Sequence, residues 1–233
     1  MNSAWAKLRW FKRYLLILCF PQSNICHLCK RCLPNLGRLM LCEDCAAKLA
    51  EYRIPHKEAV MGLHEPLEAC IAAYWHDGQA RELTHKLKYG ADRMTAKVLA
   101  EGMADAWAQA VGGLAFGTAL VVPVPLHMRR EQERGFNQAL LLAQAFCEHT
   151  GQRLVTDALI RVHYTKTQTQ QTRAERLESM RNAFAVVSEE AILNKPVLLI
   201  DDVLTTGGTA VACAEALLGA GASKVVLLTA CRA

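Results

Sequence analysis

At 233 residues, 52% hydrophobic and 21% charged, the chain is long and apolar enough for a full core, which excludes a disordered or fibrous protein. Its net charge of +5 is unevenly placed. Ten Lys/Arg stand against four Asp/Glu through residue 60, and seventeen against eighteen thereafter, so the basic character belongs to the N-terminal part.

That part opens with Lys7, Arg9, Lys12 and Arg13 ahead of the apolar run Tyr14–Phe20. Seven apolar residues are far below a membrane span, and no small-residue cleavage site follows them. The expectation is a cytoplasmic protein without membrane insertion, with Trp5–Phe20 packing as an amphipathic or core segment. Ten cysteines in such a chain point to metal ligands or buried thiols rather than disulfides. Cys26-x-x-Cys29 and Cys42-x-x-Cys45 form two knuckles twelve residues apart, each able to place two thiolates on neighbouring corners of a tetrahedron, a donor set that selects zinc. Pro34, Asn35 and Gly37 would fold the intervening segment back as a loop. Cys26, Cys29 and Cys32 are each three apart, so any two could serve, and the matching spacing of the second pair favours Cys26 and Cys29. A redox role for one CxxC is the competing reading.

The pattern changes after Pro55. A small cysteine module is expected over residues 1–62 and a larger domain over 63–233. In the larger domain Ala69–Trp75 reads as a strand, and Gln79–Lys88 and Arg93–Ala110 as helices broken near Gly90 and ended by Gly112 and Gly113. Leu120–Pro125 reads as a central strand, where Pro123 and Pro125 require that the strand stop or that their missing donors face away from a partner. His127, Arg129, Arg130 and Arg134 follow at that strand's end, where they could balance an anionic ligand, and the helix Ala139–Thr150 ends on Gly151. Residues 161–184 are polar and long for a connection. Lys166, Arg173 and Arg176 there could close over a negatively charged ligand.

The most informative stretch is Val197–Thr209, VLLIDDVLTTGGT. An apolar run that suits a buried strand is followed by Asp201 and Asp202, then by a Thr/Gly loop opening into the apolar segment Ala210–Leu218. Thr205, Thr206, Gly207, Gly208 and Thr209 offer hydroxyls and unobstructed amides at a helix N-terminus, where orphan donors and the helix dipole favour a phosphate. Carboxylates just upstream would accept ribose hydroxyls, directly or through a divalent metal. Lys224–Cys231 supplies a final parallel strand.

The Val197–Thr209 stretch resembles the 5-phosphoribosyl-1-pyrophosphate (PRPP) signature of type I phosphoribosyltransferases. Together with the paired CxxC knuckles, the segment VVPVPLHMRREQERGFNQA from Val121, RVHYTKTQTQQ from Arg161, RNAF from Arg181 and LKYG from Leu87, it is similar to the ComF family. The resemblance implies an α/β fold: a type I phosphoribosyltransferase-like parallel sheet flanked by helices, with a small N-terminal zinc-binding module. It also implies a role in DNA uptake, competence or the use of external DNA, beside a DNA-translocating helicase. In that setting Asp201 and Asp202 would hold the ribose diol and Thr205–Thr209 the 5′-phosphate. Magnesium, the Leu126–His127 backbone, Arg129 and Arg134 would neutralise the diphosphate. The activity implied is phosphoribosyl transfer. The alternative is an accessory that binds single-stranded DNA or the helicase, its pocket sensing a ribosyl phosphate without turnover.

Overall fold

Two long apolar runs, Pro196–Leu204 and Lys224–Arg232, pair in parallel over their whole lengths and form the centre of the molecule's main sheet. In this computed structural model the described residues are 25–33, 40–61, 65–90, 92–114, 119–126, 128–162 and 183–233. The Trp5–Phe20 segment, the turn at Pro34, Asn35 and Gly37, His127, and the loop residues Lys166, Arg173 and Arg176 lie outside them. The chain divides into two compact units, Met1–Glu51 and Tyr52–Ala233.

In the first unit a turn at Cys26–Lys30 is closed by the Lys30 amide donating to the Cys26 carbonyl (2.8 Å), with Lys30 in the left-handed region at φ 61°. Ile25 and Cys32 bridge across it. Helix α1 (Glu43–Ala50) starts directly after Cys42, with Glu43 and Asp44 in its first turn and Lys48 in its last, which suits the helix dipole. Cys45 and Leu49, four apart, are its buried residues.

The second unit begins with a short helix, α2 (His56–Ala59), and strand β1 (Val60–Met61). There follow β2 (Ala69–Trp75), α3 (Gly78–Gly90), α4 (Arg93–Leu114), β3 (Leu120–Pro123), α5 (Met128–Arg134) and α6 (Gln138–Thr150). The remaining elements are β4 (Arg153–Leu154), β5 (Leu159–Arg161), β6 (Phe184–Val186), α7 (Glu189–Ile192), β7 (Pro196–Leu204), α8 (Gly208–Gly219) and β8 (Lys224–Arg232). The main sheet has the order β1-β2-β8-β7-β3-β4 and is parallel except for the antiparallel edge strand β1; β5 and β6 form a separate antiparallel pair. Helices flank the sheet, as the α/β reading requires: Leu83, Leu87, Leu99, Leu142, Phe146 and Leu217 are fully buried against it. Burial of this kind contributes roughly 1.5–3 kcal/mol per large apolar side chain.

Two elements differ from the sequence reading. Helix α4 runs through Gly112 and Gly113 to Leu114, because a glycine pair weakens a helix without stopping one already anchored by packing. Strand β7 continues four residues past Ile200 and takes both aspartates into the sheet, because β8 supplies partners that far: Asp201 pairs with Thr229, Val203 with Cys231 and Leu204 with Arg232. Strand β3 ends at Pro123, as its prolines demand. The Val124 amide still donates to the Ile200 carbonyl (2.9 Å), whereas the Pro123 nitrogen falls on the side of β4, which pairs only with Leu120 and Val121.

Gly102 shows how closely α4 meets the sheet. A Cβ at this position would lie 2.2 Å from the Tyr74 hydroxyl and 2.5 Å from its ring, and Tyr74 is 2% exposed, so the ring has nowhere to retreat. Gly102→Ala is expected to destabilise the protein by about 1–3 kcal/mol through overpacking; a thermal midpoint equal to that of the parent would refute this packing argument.

Candidate functional site

The chain order sets where a ligand can sit. Strand β3 is followed by α6 and then β4 on one side, and β7 by α8 and then β8 on the other, so the connections leave in opposite directions between β3 and β7. In open α/β sheets ligands occupy the crevice beyond the carboxyl ends of the strands at such a reversal. Residues at the ends of β3 and β7 therefore face the same crevice mouth. The hydrogen bond from Val124 to Ile200 brings the Pro125–Leu126 segment alongside Asp201.

At the end of β7 the chain enters the Thr205–Thr206–Gly207 turn and starts α8. Gly207 is the helix N-cap and lies in the left-handed region (φ 76°, ψ −7°), a conformation glycine adopts at no steric cost. The Val211 amide is the first to bond back, to the Gly207 carbonyl (2.9 Å), so the amides of Gly208, Thr209 and Ala210 have no acceptor within the helix. A small cleft, open to solvent, is lined by Asp201, the whole run Val203–Ala210, Leu227 and Thr229. Orphan amides and threonine hydroxyls thus converge on one small polar space, which is what a phosphate needs.

The aspartates are placed differently. Consecutive residues of a strand direct their Cβ atoms to opposite sides. Asp201 lines the cleft, and its Oδ1 accepts from the Asp202 amide (2.8 Å). Asp202 forms an ion pair through Oδ2 with Lys88 Nζ of α3 at 3.1 Å. Burial, and next the negative charge of Asp202, push the Asp201 carboxyl up to about 7, while the Asp202 amide and Lys88 pull it the other way. At neutral pH Asp201 is therefore poised between a protonated donor and a charged acceptor.

Of the cations expected near the crevice, Arg134 ends α5, and Arg129 and Arg130 fall on the same helix, of which only the backbone is described. Sequence reasoning passed over three residues here. Thr229 lines the cleft from β8, and Lys88 reaches Asp202 from a distant part of the chain. Asn137 is the third. Its side-chain oxygen accepts from the amides of Ala139 and Leu140 as the N-cap of α6, and its Nδ2 donates to the Val124 carbonyl (3.0 Å). One side chain thus ties the helix start to the strand end that carries Leu126. The signal was present as an Asn directly before an apolar helix. Asn137→Ala is expected to cost about 2 kcal/mol from a lost cap and an unpaired buried carbonyl, seen as a lower midpoint in urea unfolding; an unchanged midpoint would contradict the role.

In the first unit the sulfurs of Cys26, Cys29, Cys42 and Cys45 all lie within 4.8 Å of one another, with Cys29 and Cys42 at 3.6 Å. Four thiolates around one tetrahedral ion stand about 3.8 Å apart, so the group could hold a metal. Cys32 is exposed, bridges to Ile25 and is not among the four. Burial raises the Cys26 thiol, but amides of Cys42, Cys29 and Leu28 outweigh it and bring Cys26 to about 6. Burial and the crowding of the other three sulfurs push Cys45 up to about 12. A cation is the natural way to hold such a set deprotonated. Among the described residues no helix is long and apolar enough to cross a membrane.

Comparison with known proteins agrees with this architecture. The phosphoribosyl transferase domain family matches residues 133–233. The chain is 29% identical over 227 residues to the DNA utilization protein YhgH of Salmonella typhimurium, covering 97% of this chain and 96% of that one. It is 29% identical over 196 residues to competence protein F of Haemophilus influenzae, covering 78% and 80%, and 26% identical over 223 residues to competence protein ComFC of Bacillus subtilis, covering 91% and 85%. The solved glutamine PRPP amidotransferase of B. subtilis aligns over 63% of this chain and 30% of that one, with a TM-score of 0.43 and 20% identity. Relatives of these names match along most of its length, and the phosphoribosyl transferase domain family matches its residues 133–233, so the chain is similar to the ComF proteins and carries a phosphoribosyl transferase-type domain.

Proposed function

We propose that the second unit binds PRPP or a related ribosyl 5-phosphate, and that the protein serves DNA uptake or the use of external DNA, as the names of its relatives indicate. The observation that carries the binding site is the cleft in which Asp201 meets the Thr205–Thr209 loop at the start of a twelve-residue helix. The amides and hydroxyls of Thr205–Thr209 take the 5′-phosphate. Asp201 accepts from the ribose diol, with Asp202 beside it. Leu126, His127, Arg129 and Arg134 are the residues we assign to the diphosphate. Magnesium bound with PRPP would offset the diphosphate's charge. Phosphoribosyl transfer at this site would let a nitrogen nucleophile displace diphosphate at the anomeric carbon.

Cys26, Cys29, Cys42 and Cys45 would hold zinc, which would serve structurally by tying the two cysteine pairs together. Isothermal titration of the full chain with PRPP and magnesium tests the site. Binding by the parent and its loss in Asp201→Asn/Asp202→Asn is the expected result, and no binding by the parent, or equal binding by the variant, refutes it.

A second reading is favoured by the excess of positive charge through residue 60. Here that basic stretch contacts single-stranded DNA or a DNA-translocating helicase, and the cleft senses a ribosyl phosphate without turnover. Single-strand binding that weakens steeply with added salt would support it; no binding at low salt would reject it.

A further inference from the structure

Lys88 belongs to the LKYG stretch that the ribosyl-phosphate reading leaves without a role. Helix α3 carries it on a firmly held element. Leu83 and Leu87 are fully buried, His76 Nε2 meets the Thr84 hydroxyl at 3.0 Å one turn before Lys88, and the His76 amide donates to the Arg232 carbonyl at the end of β8. The helix thus holds the Lys88 backbone within side-chain reach of β7. Its partner is Asp202 Oδ2 at 3.1 Å, with the two side chains only 30% and 17% exposed, so the pair is shielded from solvent well beyond an ordinary surface ion pair. From Asp202 the contacts continue: its amide donates to Asp201 Oδ1, and Asp201 lines the cleft. Lys88 is therefore two contacts from the space a ligand would fill.

The physical problem at this site is that two adjacent carboxylates must tolerate a ligand that is itself strongly anionic. A cation that engages one acid lowers that repulsion and gives the pair distinct tasks, one acid turned to the ligand and the other held. We propose that Lys88 is a positioning residue for the ribosyl-phosphate site: it acts through Asp202, holding that acid so that Asp201 alone is turned toward the ligand. The inference rests on the PRPP-binding reading above.

A double-mutant cycle read by isothermal titration with PRPP and magnesium tests it, using the full chain as parent, Lys88→Gln, Lys88→Arg, Asp202→Asn and Lys88→Gln/Asp202→Asn. Lys88→Gln is expected to weaken binding about tenfold, Lys88→Arg to restore it to within about threefold, and Lys88→Gln to add less than about twofold in the Asp202→Asn background, as coupled neighbours do. A merely structural lysine would not show this dependence on Asp202. Should Lys88→Gln not fold, Lys88→Arg and Asp202→Asn carry the comparison: Asp202→Asn must weaken binding and Lys88→Arg must not. If the parent binds PRPP and Lys88→Gln binds equally well, this inference alone is wrong. A tenfold loss that persists undiminished with Asp202→Asn means that Lys88 touches the ligand directly, and also overturns it. No binding by the parent removes the ribosyl-phosphate reading and this inference with it.

Discussion

Asp201→Asn is expected to make the unliganded protein more stable at pH 8 while weakening its affinity for PRPP more than tenfold. The carboxyl sits at about 7 in the folded chain against an ordinary value of 3.8, raised first by burial and then by Asp202. An acid raised in this way binds its proton more tightly folded than unfolded. Its contribution to stability is therefore full below about pH 4 and lost as the pH rises toward 7. Above that window the folded state carries a charge it disfavours. Asparagine keeps an oxygen to accept from the Asp202 amide and removes the charge. Each pKa unit corresponds to about 1.4 kcal/mol, so a gain of about 2–4 kcal/mol is expected at pH 8, or roughly 5–10 °C in thermal midpoint for a chain of this size. At pH 4 the two proteins should melt alike. The same change replaces the second carboxylate oxygen, the one left for the ribose diol, with an NH2 donor that cannot accept, and a buried acceptor lost from a ligand site costs more than tenfold in affinity. A variant that melts below the parent at pH 8 would show that Asp201 is not a strained acid. One that binds PRPP like the parent would show that it is not a ligand group. This opposition of stability and binding is the expected mark of a site whose charge is held in place for a ligand rather than for the fold.

Removal of metal is expected to unfold the first unit. Its buried apolar residues among the described positions are few, Leu33, Leu41 and Leu49 beside Cys26 and Cys45, and a core of that size does not hold a small domain. A structural zinc supplies about 10–16 kcal/mol of binding free energy, which becomes folding free energy when no site exists in the unfolded chain. With one zinc bound per chain, the amides of Cys26, Lys30 and Ala46, which donate to Arg31, Cys26 and Cys42, should exchange slowly. After chelation, or in Cys26→Ser or Cys45→Ser, they should exchange at rates near those of an unfolded peptide. Cys32→Ser should leave both metal content and exchange unchanged, since Cys32 stands outside the cluster. Slow exchange that survives complete metal removal would mean that the four sulfurs do not support the unit.

Much of the fold was legible because its signals are local. Ala69–Trp75 and Lys224–Cys231 read as strands since residues buried on both faces leave continuous apolar runs, and Gly151 marked a helix end through its left-handed backbone (φ 72°). Repeated CxxC spacing identified a four-thiol group without reference to three dimensions. The extent of β7 was not legible, because a strand continues as far as a neighbour offers partners, and β8 offers them past both aspartates.

The sequence by itself determined the class of chain: an α/β domain with a strand–acid–glycine–helix segment suited to a phosphate, preceded by a cysteine pair of pairs. Only the tertiary structure decided that Cys32 is left out of the thiol cluster, that Thr229 joins the cleft, and that Asp201 faces it while Asp202 faces Lys88. The reason is one of range. Backbone preference, periodicity and capping act between residues a few positions apart and can be read along the chain. The partner of a charge is chosen by packing, which brings Lys88 of α3 and Asp202 of β7 together without leaving a mark near either residue.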